Sequence, residues 1–208
     1  CFLNFIEIMK PKNIMLENVP SLAMDERFKH FCLALEGMGY SYNFDVLDAK
    51  DYSVPQRRKR LILIASINGT PDIAKKSLKV KTVRDAIGNI SNDYNDKLHN
   101  LVDNRSQKVM DIIKNIPKNG GSRTSLPPHL QLNCHRKSNG FFDVYGRMQW
   151  DKPSPTITSG CNNPSKGRFI HPDKDRAITL REAALLQGFP KTYKFIPEHG
   201  KGAISLMI

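Results

Sequence analysis

Residues 55–67 read PQRRKRLILIASI, a basic segment that leads directly into a continuous apolar run. The apolar run, Leu61–Ile67, is typical of a buried strand. Just upstream, Tyr40–Leu47 alternates between polar and apolar residues and predicts another strand. About a dozen residues without a helical pattern join the two runs, so we expect them to be antiparallel neighbours at the edge of a sheet.

The residues before these strands predict two helices and one more strand. Phe2–Met9 has apolar residues at helical spacing before Pro11, and Asn13–Val19 is a short apolar run that suits a buried strand. Asp25–Met38 has one apolar helical face, and Gly39 is well placed to end that helix. Helices that alternate with strands indicate an α/β sheet with helices on its faces.

The composition changes from residue 68 onward, where Gly, Pro, Asn, Lys and Ser dominate and apolar runs are short. Helices are predicted at Val83–Ile87, Arg105–Ile116 and Thr179–Gln187. Between Pro117 and Pro172 the sequence predicts only turns and short strands. A length of 208 residues allows one domain or two small ones.

The charge is strongly basic and unevenly distributed. Thirty-two Lys and Arg residues against twenty Asp and Glu residues give a net charge of +12. Residues 50–84 carry +8 and residues 114–147 carry +5. Such an excess favours a polyanionic partner, most simply nucleic acid, and solvated surface is the alternative interpretation of each cluster.

The cysteines and the hydropathy pattern argue against several classes of protein. The four cysteines, at positions 1, 32, 134 and 161, form no Cys-x-x-Cys pair and have no His at zinc-finger spacing, so a metal site is not expected. Free thiols are the preferred interpretation over disulfide bonds. Because no run of about 18 apolar residues occurs, no membrane span is expected either.

The string Glu17-Asn18-Val19-Pro20 lies at the carboxyl end of a predicted strand. Open α/β sheets bind their ligands at these strand ends. A carboxylate there can donate a proton to a bound ring or accept one from it. A glutamate that caps the following helix is the alternative interpretation.

A second string, Pro55-Gln56-Arg57-Arg58-Lys59-Arg60, precedes the apolar run. In an extended chain Arg58 and Arg60 lie on one face, and Arg57 and Lys59 on the other. Two guanidinium groups on one face can clamp a phosphate or a base that carries a carbonyl group. A basic turn on the surface is the alternative interpretation.

A third string, RAITLREAALLQGFP at residues 176–190, predicts a capped helix. Thr179 is a natural N-cap, and Glu182 completes a capping box. Gly188, Phe189 and Pro190 follow as the end of the helix. By itself this string indicates a helix and no particular function.

Together and in this order, the three strings resemble the cytosine-5 DNA methyltransferases. ENVP resembles the catalytic-glutamate motif of that family, VPQRRKR resembles its Gln-x-Arg-x-Arg motif, and RAITLREAALLQGFP resembles the motif that closes its target-recognition region. The segments YGRMQWDKPSPTITSG and GRFIHP also resemble segments of bacterial members. The resemblance extends over nearly the whole chain.

The resemblance implies a domain organisation. Residues 1–90 would form the C-terminal part of a Rossmann-like, S-adenosylmethionine-dependent methyltransferase domain of α/β class. Residues 91–195 would form a small, loop- and strand-rich target-recognition domain, and residues 196–208 would begin the return to the catalytic domain.

The resemblance also implies an enzyme that flips cytosine out of double-stranded DNA and methylates its carbon 5, with S-adenosylmethionine as the donor. In the family a cysteine thiolate attacks carbon 6, a glutamate holds and protonates ring nitrogen 3, and an arginine binds the carbonyl oxygen. By motif match the glutamate is Glu17 and the base-contacting arginine is Arg60. Arg58 matches the motif's other arginine, which supports the site.

Several residues are predicted to lie at the DNA. Gln56 matches the motif's glutamine, and Thr156-Ile157 resembles the family's Thr-Leu/Ile pair, which packs near the flipped base. Arg57 is a further candidate for a contact with DNA. By composition, four more residues are candidates for contacts with base edges, with solvated surface as the alternative: Arg123, Arg136, Lys137 and Asn139.

The nucleophile loop and the glycine-rich cofactor loop of the family have no match in this sequence. We therefore expect a C-terminal fragment that is inactive alone and lacks most of the S-adenosylmethionine pocket. Its partners would be double-stranded DNA and an N-terminal half, and it would be a monomer in the bacterial cytoplasm, associated with the nucleoid. The alternative is a non-catalytic DNA-binding module or specificity subunit.

Overall fold

The computed structural model describes residues 2–90, 96, 98–100, 104–136 and 142–195 of the chain. The chain divides into two compact units. Unit 1 comprises residues 1–52 and 58–79, and unit 2 comprises residues 53–57 and 80–208. The short segment 53–57, which opens the basic string, thus belongs to unit 2, although the residues on either side of it belong to unit 1.

Unit 1 is a three-stranded sheet with two helices. Its elements are helix α1 (Phe2–Met9), strand β1 (Asn13–Asn18), helix α2 (Glu26–Gly37), strand β2 (Ser41–Asp48) and strand β3 (Lys59–Ser66). Single 3-10 turns follow β1 at Pro20–Met24 and β2 at Ala49–Tyr52. The helices and strands predicted for this region are confirmed, and Gly39, with φ of +86°, follows α2 as predicted.

The strand order in unit 1 is β1-β3-β2, and β3 is antiparallel to both neighbours. The predicted antiparallel pairing of β2 and β3 is confirmed, with β2 at the edge of the three strands and β3 in the middle. The inward residues of β3, Leu61, Leu63 and Ala65, are fully buried in the core of unit 1. A continuous apolar run suits such a central position better than an edge.

One face of the sheet carries the core of unit 1. Ile6 of α1 and Phe28 and Leu35 of α2 pack with Ile14 and Leu63 of the sheet in a single apolar cluster. Both helices therefore contribute to the same face, and the residue that follows Ile14, Met15, is exposed on the opposite one. The side chains that alternate with the core residues along the strands point to this opposite face.

Unit 2 is built from loops and short helices. The helices are α3 (Val83–Ile87), α4 (Gln107–Asn115), α5 (Asn133–Arg136) and α6 (Leu180–Leu186), with 3-10 turns at Arg123–Ser125, Pro128–Leu130 and Pro164–Lys166. The predicted helices α3, α4 and α6 are confirmed, and so is the capping box in which Thr179 and Glu182 exchange hydrogen bonds. No helix in the described ranges has the length and apolarity needed to cross a membrane.

The expectation of a strand-rich unit is wrong for the described residues of 91–195. They contain isolated bridges, Gln56–Ser154, Arg147–Ile170 and Ile170–Ala177, and no extended ladder. Prolines at positions 117, 127, 128, 153, 155, 164 and 172 interrupt this region. Since proline lacks the N–H that a ladder requires, short apolar stretches here form bridges and turns.

A buried arginine organises the centre of unit 2. The guanidinium of Arg147 is fully buried and donates hydrogen bonds to the carbonyl oxygens of Ile113, Ile116, His171 and Lys174. It also pairs with the carboxylate of Asp175. These bonds tie the last turn of α4 and the residue after it to the loop that precedes α6, so one side chain joins segments about 60 residues apart.

A second buried group, His171, makes the stability of unit 2 sensitive to pH. Its Nδ1 accepts hydrogen bonds from the backbone N–H groups of Asp173 and Lys174, at 3.1 and 3.0 Å, so the ring is neutral with its proton on Nε2. Burial lowers the pKa of His171 to about 4, although the Glu182 carboxylate at 3.8 Å acts in the opposite direction. Protonation of Nδ1 would break both backbone bonds.

We expect the free energy of unfolding to fall as the pH is lowered from 6.5 toward 4. In that interval an unfolded chain binds a proton at His171 that the folded chain does not, which favours unfolding. Thermal unfolding followed by circular dichroism from pH 7 to pH 4 measures the effect. His171→Asn keeps an acceptor near the position of Nδ1 but cannot titrate, so its melting temperature should decline less; equal slopes would refute this assignment.

Candidate active site and nucleic-acid interface

The carboxyl end of β1 carries a cluster of one carboxylate and two guanidinium groups. Oε1 of Glu17 lies 2.8 Å from Nε of Arg60 and 3.9 Å from Nη2 of Arg58. The side chains of Glu17 and Arg60 remain 48% and 25% exposed. The structure thus brings together the three residues that the sequence predicts as catalytic.

The register of the sheet explains why these side chains meet. Glu17 lies opposite Ile62 in the antiparallel pair of β1 and β3, so the two side chains are on the same face. Arg60 precedes Ile62 by two residues and shares that face, which places its guanidinium diagonally across from Glu17. The same alternation directs Leu61 and Leu63 into the core, so the apolar pattern of β3 fixes the direction of Arg60.

The backbone of Arg58 is fixed by residues at the end of β2. Its N–H donates to Oδ1 of Asp48 at 3.0 Å, and its carbonyl accepts from the N–H of Ala49 at 3.0 Å. Asp48 is buried, so its carboxylate serves to hold the chain where it enters β3. No sequence pattern predicts this role of Asp48, because a single Asp at the end of a strand does not identify a partner ten residues later in the chain.

The cluster combines an acid–base group with two fixed cations. These three side chains together carry a net charge of +1 even with Glu17 ionised, because the cluster holds two guanidinium groups and one carboxylate. The ion pair itself contributes little to stability, at most about 1 kcal/mol, because both groups are partly solvated. The cluster of Glu17, Arg58 and Arg60 therefore suits a ligand that has a proton acceptor next to a carbonyl oxygen.

Gln56 lies inside unit 2 and joins segment 53–57 to two other parts of that unit. Its Oε1 accepts from the N–H of Ile157 at 3.0 Å, and its Nε2 donates to the carbonyl of Leu186 at 3.5 Å. Its backbone forms a parallel bridge with Ser154. Because both ends of the amide bind protein and the residue is buried, this geometry does not match the predicted contact of Gln56 with DNA; a positioning role fits better.

The pair Thr156-Ile157 lies beside Gln56. The hydroxyl of Thr156 donates to the carbonyl of Arg57 at 2.7 Å, and Ile157 packs in the apolar cluster with Met148 and Phe169. The pair is therefore anchored on both sides, and its place near a flipped base stays a prediction.

The basic candidates have different environments. Arg57 is exposed. Arg123 is only 7% exposed, donates to the carbonyl of His135 at 3.3 Å and lies 5.7 Å from the ring centre of Phe142, so its burial argues against a base contact. The side chain of Arg136, and the whole of Lys137 and Asn139, lie outside the described residues.

The buried cysteines do not fit the role of a nucleophile. Burial raises the pKa of the Cys32 thiol, and burial raises that of Cys161 to about 11, so both are protonated at neutral pH. Cys32 is thus the buried thiol that its place on an apolar helical face predicts. Cys134 is exposed, and Cys1 lies outside the described residues. Within the described ranges no group of three or more His, Cys, Asp or Glu side chains is arranged to hold a metal ion.

Several known proteins match nearly the whole length of this chain. The Type II methylase M.HgiDII of Herpetosiphon aurantiacus is 39% identical over 95% of this chain and 59% of its own length. The Type II methyltransferase M1.BsuMI of Bacillus subtilis is 32% identical over 91% of this chain and 46% of its own length. This chain therefore spans about half the length of these relatives.

The fold and the family agree. The structure superposes on the Dnmt2 methyltransferase of S. pombe with a TM-score of 0.55 at 17% identity, covering 98% of this chain and 65% of that one, which shows a shared α/β fold. The model of the C-5 cytosine-specific DNA methylases matches residues 2–206. With its glutamate–arginine cluster at the end of β1, the chain belongs to the family of C-5 cytosine-specific DNA methylases.

Proposed function

We propose that this chain supplies the base-activating part of a DNA (cytosine-5)-methyltransferase. The observation that carries the proposal is the Glu17 carboxylate held 2.8 Å from Arg60 at the carboxyl end of β1, in a chain of this family. Ligands of open α/β sheets bind at such strand ends. The substrate is a cytosine flipped out of double-stranded DNA.

In the proposed mechanism Glu17 holds the proton at ring nitrogen 3 of the cytosine, which makes carbon 6 more electrophilic. Arg60 donates hydrogen bonds to the carbonyl oxygen and stabilises the charge that develops there. Arg58, 3.9 Å from the same carboxylate oxygen, keeps Glu17 oriented while Arg60 engages the base. The buried thiols of Cys32 and Cys161 are protonated, so we assign the attack on carbon 6 to neither of them.

S-adenosylmethionine would supply the methyl group. A cavity of unit 1, of about 390 Å³, is lined by residues that include Lys10 and Tyr40, at the amino ends of β1 and β2. Ligands of such sheets bind at the opposite end, so this cavity does not fit the donor. None of its residues is therefore assigned to the donor.

Residues 91–195, which belong to unit 2, would carry the target-recognition region, and residues 1–90 the C-terminal part of the catalytic domain. The division of the chain into two compact units supports two functional parts. The main boundary between the units is at residue 80, and the proposed boundary between the functional parts is at residue 90. By analogy with the Type II relatives we propose a bacterial restriction–modification role, with the chain acting as a monomer on DNA.

Binding of double-stranded DNA tests the proposed partner. We expect the purified chain to bind a mixed-sequence duplex in fluorescence anisotropy, with an affinity that falls at least tenfold between about 50 mM and about 200 mM salt, because several phosphates are neutralised. Absence of binding at low salt, or an affinity that stays constant over this range, would contradict the proposal.

A further inference from the structure

Unit 2 contains an open cavity of about 250 Å³ whose charged lining residues are all cationic. Arg57, Lys152 and Arg168 line it together with Gln149, and its remaining lining residues are neutral. Three cationic side chains and no carboxylate in the lining favour an anion as the ligand of this cavity. Its volume accommodates a phosphate group and leaves room for part of a sugar.

The wall formed by Arg168 is held in place by hydrogen bonds. Its Nη1 donates to the carbonyl oxygens of Gly120, Gly121 and Arg147 at 3.0–3.1 Å, and its Nε donates to Asp143 at 2.9 Å. Arg168 thus lies fixed before any ligand arrives. The exposed carboxylate of Asp143 neutralises part of the charge of Arg168. Arg168 therefore contributes mainly to the shape of the cavity and less to its attraction for an anion.

The other two cations are available for a ligand. Within the described part of the chain, no hydrogen bond or ion pair engages the side chain of Arg57 or Lys152, and both residues are exposed. Their charges contrast with those of Arg58 and Arg60, which are paired with Glu17. An exposed cation without a carboxylate partner retains its full attraction for a phosphate.

The backbones that carry these two side chains are nevertheless fixed. The N–H of Arg57 donates to the carbonyl of Ser154 at 2.9 Å, and the carbonyl of Arg57 accepts from the hydroxyl of Thr156 at 2.7 Å. The carbonyl of Lys152 accepts from the N–H of Val83, the first residue of α3, at 2.9 Å. Prolines at positions 153 and 155 restrict the chain between these anchors.

A glycine permits the approach of Gln149 to the cavity. Gly120 has φ of +109°, and a Cβ at this position would lie 2.6 Å from Nε2 of Gln149. The glycine is therefore required both by the backbone conformation and by the space that the amide occupies. The amide N–H groups of Gln149 add neutral donors to the cationic lining.

We propose that this cavity binds one phosphate of the DNA backbone, with Arg57 and Lys152 as its charged donors. This inference rests on the proposed function and adds to it Lys152 and Gln149 as DNA-positioning residues. A phosphate contact here fixes the register of the duplex and carries no sequence information. A small free phosphate presents the same chemistry, so the test separates the two sources.

The test measures duplex affinity against salt for the wild-type chain and for Arg57→Ala and Lys152→Ala. Loss of the phosphate contact in a chain that carries both substitutions should reduce the slope of log affinity against log salt by about 0.9, and each single substitution should reduce it by less. Lys12→Ala is the matched control: it removes an exposed lysine at the amino end of β1, without a described partner, and should leave the slope unchanged. Arg57→Lys should restore most of the slope, which a loss of folding would not allow.

Calorimetric titration with inorganic phosphate forms the second arm. We expect phosphate to bind the wild-type chain only at millimolar concentration, and Lys152→Ala to abolish that binding. Unchanged duplex slopes in both alanine variants would overturn the inference while leaving the proposed function intact. Micromolar binding of free phosphate together with unchanged slopes would assign the cavity to a small anion. Failure of the wild-type chain to bind duplex at any salt would overturn both proposals.

Discussion

Arg147→Met is expected to lower the free energy of unfolding by about 3–5 kcal/mol. The substitution removes the buried guanidinium that satisfies the carbonyl oxygens of Ile113, Ile116, His171 and Lys174 and pairs with Asp175. Methionine has a comparable length and fills much of the space, so the loss arises from unsatisfied acceptors more than from a cavity. A loss of this size is a large fraction of the 5–15 kcal/mol typical of whole proteins.

Urea unfolding followed by tryptophan fluorescence measures this loss, since Trp150 lies in the same unit. Arg84→Met is the matched control, because Arg84 also pairs with an aspartate, Asp151, at 2.8 Å. Its pair is exposed, at 55% and 71% of the two side chains, so we expect a loss of at most about 1 kcal/mol. Losses of equal size in the two variants would show that the burial of Arg147 does not account for its contribution to the free energy of unfolding.

The behaviour of Arg147 shows where sequence reasoning about charge fails. Arg147 and Arg123 both belong to the basic cluster of residues 114–147, which suggested a surface for phosphate contacts. Both are buried, because their guanidinium groups bond to carbonyl oxygens in segments distant along the chain. A count of charges cannot distinguish such an arginine from an exposed one, since the difference depends on which loops meet in space.

Local sequence patterns were sufficient to predict the helices and strands of unit 1. Apolar periodicity and the glycine after α2 predict its helices and strands, and alternation predicts that Arg58 and Arg60 share a face. The pairing of β1 with β3 has no local signal, yet it is what brings Glu17 to Arg60. Motif resemblance supplied that link, because it associates residues that lie more than forty positions apart.

Gln56 illustrates the opposite case, in which a motif position is recognised and its surroundings are not. The motif match places Gln56 at the DNA, whereas the structure buries it and uses its amide to hold Ile157 and Leu186. Both partners lie at least 100 residues away, so no spacing rule identifies them. The burial of Gln56 is explained by these two hydrogen bonds, which hold segment 53–57 to Ile157 and to the end of α6.

Glu17→Gln is expected to reduce methyl transfer by a factor of about 10²–10⁴, the usual contribution of a positioned acid–base group. Glutamine keeps the size and the polarity of the side chain but cannot hold the proton at ring nitrogen 3. DNA affinity should change little, because the Glu17 carboxylate is a negative group beside two arginines and contacts no phosphate in the proposed mechanism. Catalysis and binding are therefore expected to separate in this variant.

Asp45→Asn provides the matched control for this substitution. Ile62 of β3 lies between Glu17 of β1 and Asp45 of β2 and pairs with both. The two carboxylates therefore lie on one face and in one row of the sheet. Asp45 bonds only to the N–H of the next residue, Val46, and has no arginine partner in the described part of the chain. Removal of its charge should leave methyl transfer within about twofold of the wild-type rate, a change too small to indicate an acid–base role.

The most direct test is transfer of a labelled methyl group from S-adenosylmethionine to duplex DNA by this chain, joined to the part of the Herpetosiphon aurantiacus relative that it does not match. We predict incorporation by the wild-type and Asp45→Asn proteins and a loss of at least a hundredfold in Glu17→Gln, with duplex affinity retained. Equal incorporation by Glu17→Gln and the wild type would contradict the assignment of Glu17, and with it the central claim that the Glu17–Arg60 cluster activates the base.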